Sequence, residues 1–290
     1  MYVASNPFTK NQGCIDTIDA SAPQNDCQAV PADKSTMLNN FIQQFMHEFV
    51  GCGSCASPGP MPPSHPKAAR PDGKIGNFSQ GHIGDCFALT ALYATAQTSM
   101  GRQKIKDSIT KTGNGIYSVQ FSGDPSHQKF TVTQAEVNKA RAAKQASTGD
   151  PDVAIFELAI GKYEELHGKS TSGGNTGQAL QLLNGQPVVE TKPHDTAAAR
   201  ELIHEAAMNP GGFILTLGSG VNKSTGQPAN HETDPASSPR GHAFTVTSID
   251  EKAGTATLAN PWDTKKVYTI SIEDLASIGK LFSVPNAASA

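Results

Sequence analysis

The sequence predicts an α+β fold, with helices dominating the first part of the chain and antiparallel strands the last. Two observations predict it. Apolar residues recur at helical spacing as far as Met208, and from Phe213 the pattern changes to short alternating runs. A third bounds it: 290 residues with 37% hydrophobic content are enough for one large domain or two lobes, and no internal repeat divides the chain.

Residues 1 to 33 are rich in Asn, Gln, Ser, Thr, Asp and Ala with little periodicity, and read as a poorly ordered leader. Such a leader fits a bacterial protein exported without cleavage, a candidate secreted effector. From Ser35 to Val50, Met37, Leu38, Phe41, Ile42, Phe45, Met46 and Phe49 recur at helical spacing, and Gly51 stops this amphipathic helix. Ala56 to Pro71 holds six prolines with Ser and Gly and is expected to be a linker. Residues 1–71 thus form a separable appendage, a candidate pro-segment or docking element, ahead of a body over residues 72–290.

In that body a helix is expected from Cys86 through FALTALYATA. Strands follow near Ile116 to Phe121 and Lys129 to Thr133, then a helix from Gln134 to Gln145. Asp150-Pro151 opens another helix, whose Val153, Phe156, Ile160 and Tyr163 make one apolar face. A short helix near Gln178 to Leu183 ends at Asn184-Gly185, and one from Thr196 to Met208 ends at Asn209-Pro210-Gly211. Strands are expected at Phe213 to Leu217, His242 to Ile249, Thr255 to Leu258 and Lys266 to Ile270, with Ser219 to Arg240 as a long mobile loop. The body therefore divides into a helical part, 72–210, and a β part, 211–290.

Formal net charge is −3, and no basic patch or charge run argues for nucleic acid or an anionic membrane surface. Apolar runs such as Phe213 to Leu217 are far short of the roughly 20 residues a membrane span needs. The N-terminus lacks a basic segment followed by an apolar run, so no cleavable export signal is expected, leaving a cytoplasmic location or export without one. Oligomeric state is not legible. Of the five cysteines, Cys14, Cys27, Cys52 and Cys55 precede Cys86. Free thiols, two disulfides or a metal site all remain open for those four; GCGSC has zinc-ligand or redox spacing but lacks a matching second pair.

The chemistry concentrates in QGHIGDC, Gln80 to Cys86, where one cysteine opens a helix. Free backbone N–H groups and the helix dipole at such a position favour a thiolate, so Cys86 reads as a nucleophile rather than an inert buried thiol. Far downstream stand His242 in RGHAFTV and Asn260 in LANPWD. The order Gln, Cys, His, Asn suits a Cys-His-Asn arrangement, with His242 as imidazolium partner and Asn260 fixing its tautomer. His82 is a local competitor, but it shares the nucleophile's own loop. A hairpin turning at Asp250 to Gly254 pairs Ile249 with Thr255, so that Phe244 faces Asn260 and His242 faces Trp262. His242 and Asn260 then share a face as diagonal neighbours, and a one-residue slip separates them.

These segments resemble the calpain-type cysteine proteases. QGHIGDCFALTAL is similar to that family's active-site helix start, GHAFTVTSI to its histidine strand and ANPWD to its Asn-Pro-Trp segment. AIFELAIGKYEELHGKSTSGG with ALQLLNG resembles its helix pair and glycine turn, and SIEDLASIGKLFSV its closing segment, so the resemblance covers Gly76 to Val284. Phe87 replaces the usual Trp after the cysteine, and Asp263 the usual Gly after Asn-Pro-Trp.

The resemblance implies a papain-like two-lobed fold, with Cys86 on a helix of one lobe and His242 and Asn260 on the sheet of the other. It implies a cysteine endopeptidase acting on protein or peptide substrates through a thioester. Gln80 and the Cys86 backbone N–H would supply the oxyanion donors, and Trp262 would shield the His242–Asn260 hydrogen bond. No cofactor is required for that chemistry. Calcium activation is a family trait left open here, since no D-x-D-x-D-G loop is visible and the chain is too short for further regulatory domains. The alternatives are a transglutaminase or deamidase acting on a partner protein, for which Asp is the usual third residue, and a non-catalytic binding module.

Overall fold

A two-residue strand, Phe78–Ser79 (β1), leads into the helix Cys86–Gln97 (α1), nine of whose twelve residues are buried. A helix apolar on nearly every face has to run through a core rather than over one. The computed structural model describes residues 69–192, 195–230 and 241–284, all within the unit Ser64–Ala290. The leader, the helix expected over Ser35–Val50, nearly all of the Pro-rich stretch and the cysteines Cys14, Cys27, Cys52 and Cys55 lie outside the described residues.

Helix α2, Ser99–Ser108, follows at once, capped by Thr98, whose side chain accepts the Gly101 N–H. Its polar sequence SMGRQKIKDS has little apolar periodicity, so only the structure reveals it. Strands Ile109–Gly113 (β2), Ile116–Gln120 (β3) and Lys129–Thr133 (β4) form an antiparallel sheet in that order. Helix α3, Gln134–Ala142, starts on a capping box between Thr133 and Glu136. It ends before the expected Gln145 because Lys144 takes a left-handed φ of 56°. Strand β5, Thr148–Gly149, pairs with β1.

Helix α4, Pro151–Leu166, has Asp150 as N-cap and Pro151 at its first position, and buries Val153, Phe156 and Ile160 as the pattern requires. Helix α5, Thr176–Asn184, stops at Gly185 in the left-handed conformation, φ 64°. Leu89 and Leu92 of α1 pack with Tyr117, Phe121, Phe156 and Leu180 in one hydrophobic cluster.

The last part holds a second cluster over a larger sheet. After β6, Val189–Glu190, and helix α6, Thr196–Met208, come β7 (Ile214–Val221), β8 (Pro228–Ala229), β9 (His242–Asp250), β10 (Thr255–Asn260) and β11 (Asp263–Ser271). A short helix Ile272–Ser277 (α7), capped by Ser271, and strand Lys280–Val284 (β12) close it. The order is β11-β10-β9-β7-β12-β6, with β8 paired to β7, and all of these pairs are antiparallel. Leu202 and Ile203 of α6 pack with Leu217, Phe244, Leu258 and Leu275. The first half of the segment expected to be a mobile loop is built into the sheet edge: Ser219 to Val221 end β7, and the Gly226 N–H donates to the Asn222 carbonyl and the Asn222 N–H to the Gln227 carbonyl in a turn before β8. His231 to Arg240 lie outside the described residues.

The β9–β10 hairpin differs from its expected register in an informative way. Asp250, not Ile249, pairs with Thr255, a slip that carried to the far end would put His242 and Asn260 on opposite faces. A bulge intervenes: Ser248 faces Thr257 but Val246 faces Leu258, so Thr247 is the extra residue. Beyond it Thr245 faces Ala259, which restores the expected register where it matters.

Two buried hydrogen bonds tie α1 to β9. Thr90 Oγ1 donates to the Ala243 carbonyl, and Thr245 Oγ1 donates to the Thr90 carbonyl, each at 3.1 Å. The helix that starts at Cys86 is thereby registered on the strand that starts at His242. Thr90→Val keeps the shape and removes one buried bond, for an expected loss of about 0.5–1.5 kcal/mol. Urea denaturation should show a lowered midpoint with unchanged slope, and Cys86 reactivity should fall with it.

Candidate active site

Cys86 opens a cleft of about 1020 Å³ lined by Gln80, Phe87, Gly174, His242, Ala243 and Trp262, among others. Phe87, the replacement for a larger ring, fits because Gly174 lies against it: a β-carbon there would come within 2.5 Å of the phenyl ring.

His242 is the first residue of β9 and is buried. Its Nε2 lies 2.9 Å from Asn260 Oδ1. The amide orientation follows from its other partners, since Asn260 Nδ2 donates to the Gly226 carbonyl at 2.7 Å and Oδ1 accepts the Trp262 N–H at 2.9 Å. A ring nitrogen facing an acceptor has to carry the hydrogen, so His242 is the Nε2–H tautomer and Nδ1 keeps its lone pair. Gly226 delivers its carbonyl from a left-handed turn, φ 76°, against Tyr268, where a β-carbon would lie 2.7 Å from the Tyr268 hydroxyl.

Trp262 packs on the imidazole at 4.7 Å between ring centroids, and Phe244 meets it edge-on at 4.9 Å. At 41% exposed, Trp262 is a cover on the histidine rather than a core aromatic. Gln80 is tied to the same segment, its backbone N–H donating to the Pro261 carbonyl at 2.8 Å. Its side-chain Nε2 donates to the Ile83 carbonyl at 2.8 Å and to Asp85 Oδ1 at 2.9 Å, while Oε1 is buried without a partner. Both amide hydrogens are therefore engaged inside the loop.

Burial pushes the Cys86 thiol up to about 11, with the Asp85 charge adding to it; the N–H groups of Ala243, Phe87 and Cys86 pull it the other way. Burial also lowers His242 to about 4, against the bond to Asn260. Helix-end N–H groups do act on the sulfur as expected, but for each group taken singly loss of water is the larger influence and favours the uncharged form.

The structure brings Cys86, Gln80, His242 and Trp262 to one cleft, with Asn260 hydrogen-bonded to the histidine. Sequence reading misses Thr90, Thr245, Gly226 and a buried carboxyl pair, Asp85 with Glu157. Glu157 had a visible signal, a lone carboxylate inside the apolar run AIFELAI. Among the described residues, no group of three or more His, Cys, Asp or Glu side chains could hold a metal ion, and no helix is long and apolar enough to cross a membrane.

The model of the calpain family cysteine proteases matches residues 64–273, more than half of the 290-residue chain. That span contains Gln80, Cys86, His242, Asn260 and Trp262. A search of curated proteins finds no match.

Proposed function

Because this chain belongs to the calpain family of cysteine proteases, we propose that it is an endopeptidase in which Cys86, His242 and Asn260 act as a triad through a thioester. The observation that carries this reading is the tautomer of His242, whose Nε2–H is spent on Asn260 and whose Nδ1 is left as a base in the cleft that Cys86 opens.

In the reaction, Cys86 Sγ bonds to the substrate carbonyl carbon as its proton passes to Nδ1 of His242. The imidazolium that forms is held by Asn260 and protonates the leaving amine. A water then gives its proton to Nδ1 and attacks the thioester, releasing the acid and the thiol. The Cys86 N–H and a Gln80 N–H would bind the oxyanion, for which Gln80 has to give up its bond to Ile83. A typical donor of this kind is worth about 10² to 10³ in rate. Trp262 keeps water from the His242–Asn260 bond. The two hydrophobic clusters, with α1 registered on β9, support a papain-like two-lobed arrangement.

Calcium activation is a trait of the family, and no step above is routed through it. The test is incubation of the protein and its Cys86→Ala variant with unfolded casein, with and without calcium. Fragments from the wild type alone are expected, and the calcium arms read that dependence directly. Intact casein together with amine incorporation or glutamine deamidation would replace hydrolysis by acyl transfer; intact casein and an unreactive Cys86 would point to a binding module.

A further inference from the structure

Directly behind the nucleophile lie two carboxyls that the reaction above does not use. Asp85 and Glu157 are 5% and 6% exposed, and their side chains hydrogen-bond to each other. Glu157 Oε2 accepts the Ser147 N–H at 2.7 Å, while Oε1 has no donor in reach. Two carboxyls bond only across a proton, and like charges at such a separation do not both ionise. Burial raises both carboxyls, Asp85 to about 6. Asp85 is the N-cap of α1, where the helix dipole favours its charge, and it accepts a Gln80 N–H, whereas Glu157 Oε1 has no donor. The shared proton therefore sits on Glu157, which donates it to an ionised Asp85.

That arrangement decides which end of Gln80 faces Asp85. An ionised Asp85 only accepts, so it binds the amide nitrogen, as its 2.9 Å contact with Nε2 records. A protonated Asp85 would donate, and the natural acceptor is Gln80 Oε1, the buried oxygen that has no partner. Turning the amide over would put the carbonyl oxygen where Nε2 now lies and leave that position of the cleft-lining glutamine without a donor for an oxyanion.

We propose that Glu157 is a positioning residue for this site: by donating its proton to Asp85 it keeps Asp85 an acceptor, and Asp85 in turn keeps the Gln80 N–H donors beside Cys86. The proposal rests on the peptidase reading for its effect on rate, but not for its effect on Gln80. The other titratable groups near the pair are the Cys86 thiol, next to Asp85 in the chain, and Arg141 of α3, which lies close enough to Glu157 and Asp150 to interact with both. Arg141 itself is spent on the Ser147 and Asp150 carbonyls.

The sign follows. Above the value of Asp85 the amide is held nitrogen-first, so that the N–H released by Ile83 can serve the oxyanion; below it the amide turns and the rate falls. The acid limb of the kcat profile should therefore lie near that value, with KM little changed. Glu157→Leu removes the donor, makes ionisation of Asp85 harder and should move the limb to higher pH. Glu157→Gln restores a donor to Asp85 and an acceptor for Ser147, and should return it.

The readout independent of turnover is the side-chain amide resonance of Gln80 in 15N-labelled protein, identified by its loss in Gln80→Ala and followed from pH 8 to pH 5. A wild-type transition between pH 7 and pH 5 that moves up in Glu157→Leu and returns in Glu157→Gln supports the proposal. A Gln80 resonance that does not titrate in the wild type overturns it, as does a leucine variant that lowers kcat equally at every pH. Failure of the peptidase reading would show separately, as absence of hydrolysis with the Gln80 transition intact.

Discussion

Cys86→Ala and His242→Ala are each expected to lower kcat by about 10⁵ to 10⁶, and the double variant by no more than either alone, because residues that act as one unit are strongly non-additive. In the proposed mechanism the thiol gives its proton to His242, and burial, which raises the thiol to about 11 and lowers the imidazole to about 4, disfavours either charge forming alone. Removing the base therefore also removes the nucleophile. Steady-state kinetics on a peptide ester, with active-site titration to correct for inactive protein, measures both singles and the double. Losses that multiply in the double variant would mean that Cys86 and His242 act independently.

Asn260→Ala should cost about 10² to 10⁴ in kcat, in line with what loss of the third residue does where it sets the tautomer. Asn260 is 1% exposed and is the hub of three bonds, to His242 Nε2, the Gly226 carbonyl and the Trp262 N–H. Without it, His242 loses the acceptor that keeps the proton on Nε2, and the Nδ1–H tautomer, useless as a base toward Cys86, becomes populated. The effect should fall on kcat more than on KM, since Asn260 lies under the histidine and not on the cleft wall. A nitrogen-detected NMR spectrum of the imidazole would show the tautomer shift directly. Retention of the Nε2–H form in Asn260→Ala would place the determinant elsewhere.

The particular residues show what the sequence carried and what it could not. Helices α4, α5 and α6 were legible because their ends bear local chemistry: Asp150-Pro151, Asn184-Gly185 and the Asn-Pro-Gly after Met208. Strand β4 came out at Lys129–Thr133 as expected, since alternation is a local pattern. The hairpin was legible only in part. Turn geometry alone gives the wrong pairing at Thr255, and the bulge at Thr247 that rescues the His242–Asn260 face has no glycine or proline to announce it. Helix α2 was invisible because it rests on the Thr98 cap and the buried side chains of Ile105 and Ser108, not on an apolar stripe.

At the site, residue types with special chemistry stood out, whereas those acting through position did not. Thr90 looks like any β-branched residue in an apolar helix until Ala243 and Thr245 are brought 153 and 155 positions along the chain to meet it. Asp85 and Glu157 are likewise unremarkable until the fold buries them side by side. Helix-end chemistry at Cys86 was readable, but the desolvation that outweighs it depends on packing that no local pattern encodes.

The most direct test of the central claim, that Cys86 forms an acyl-enzyme, is acid-quenched mass spectrometry during turnover of a slowly hydrolysed peptide ester. The account predicts one acyl group on the peptide containing Cys86, lost on further incubation at neutral pH, and absent from Cys86→Ala. Hydrolysis with no adduct at Cys86, or with the acyl group on another side chain, would contradict it.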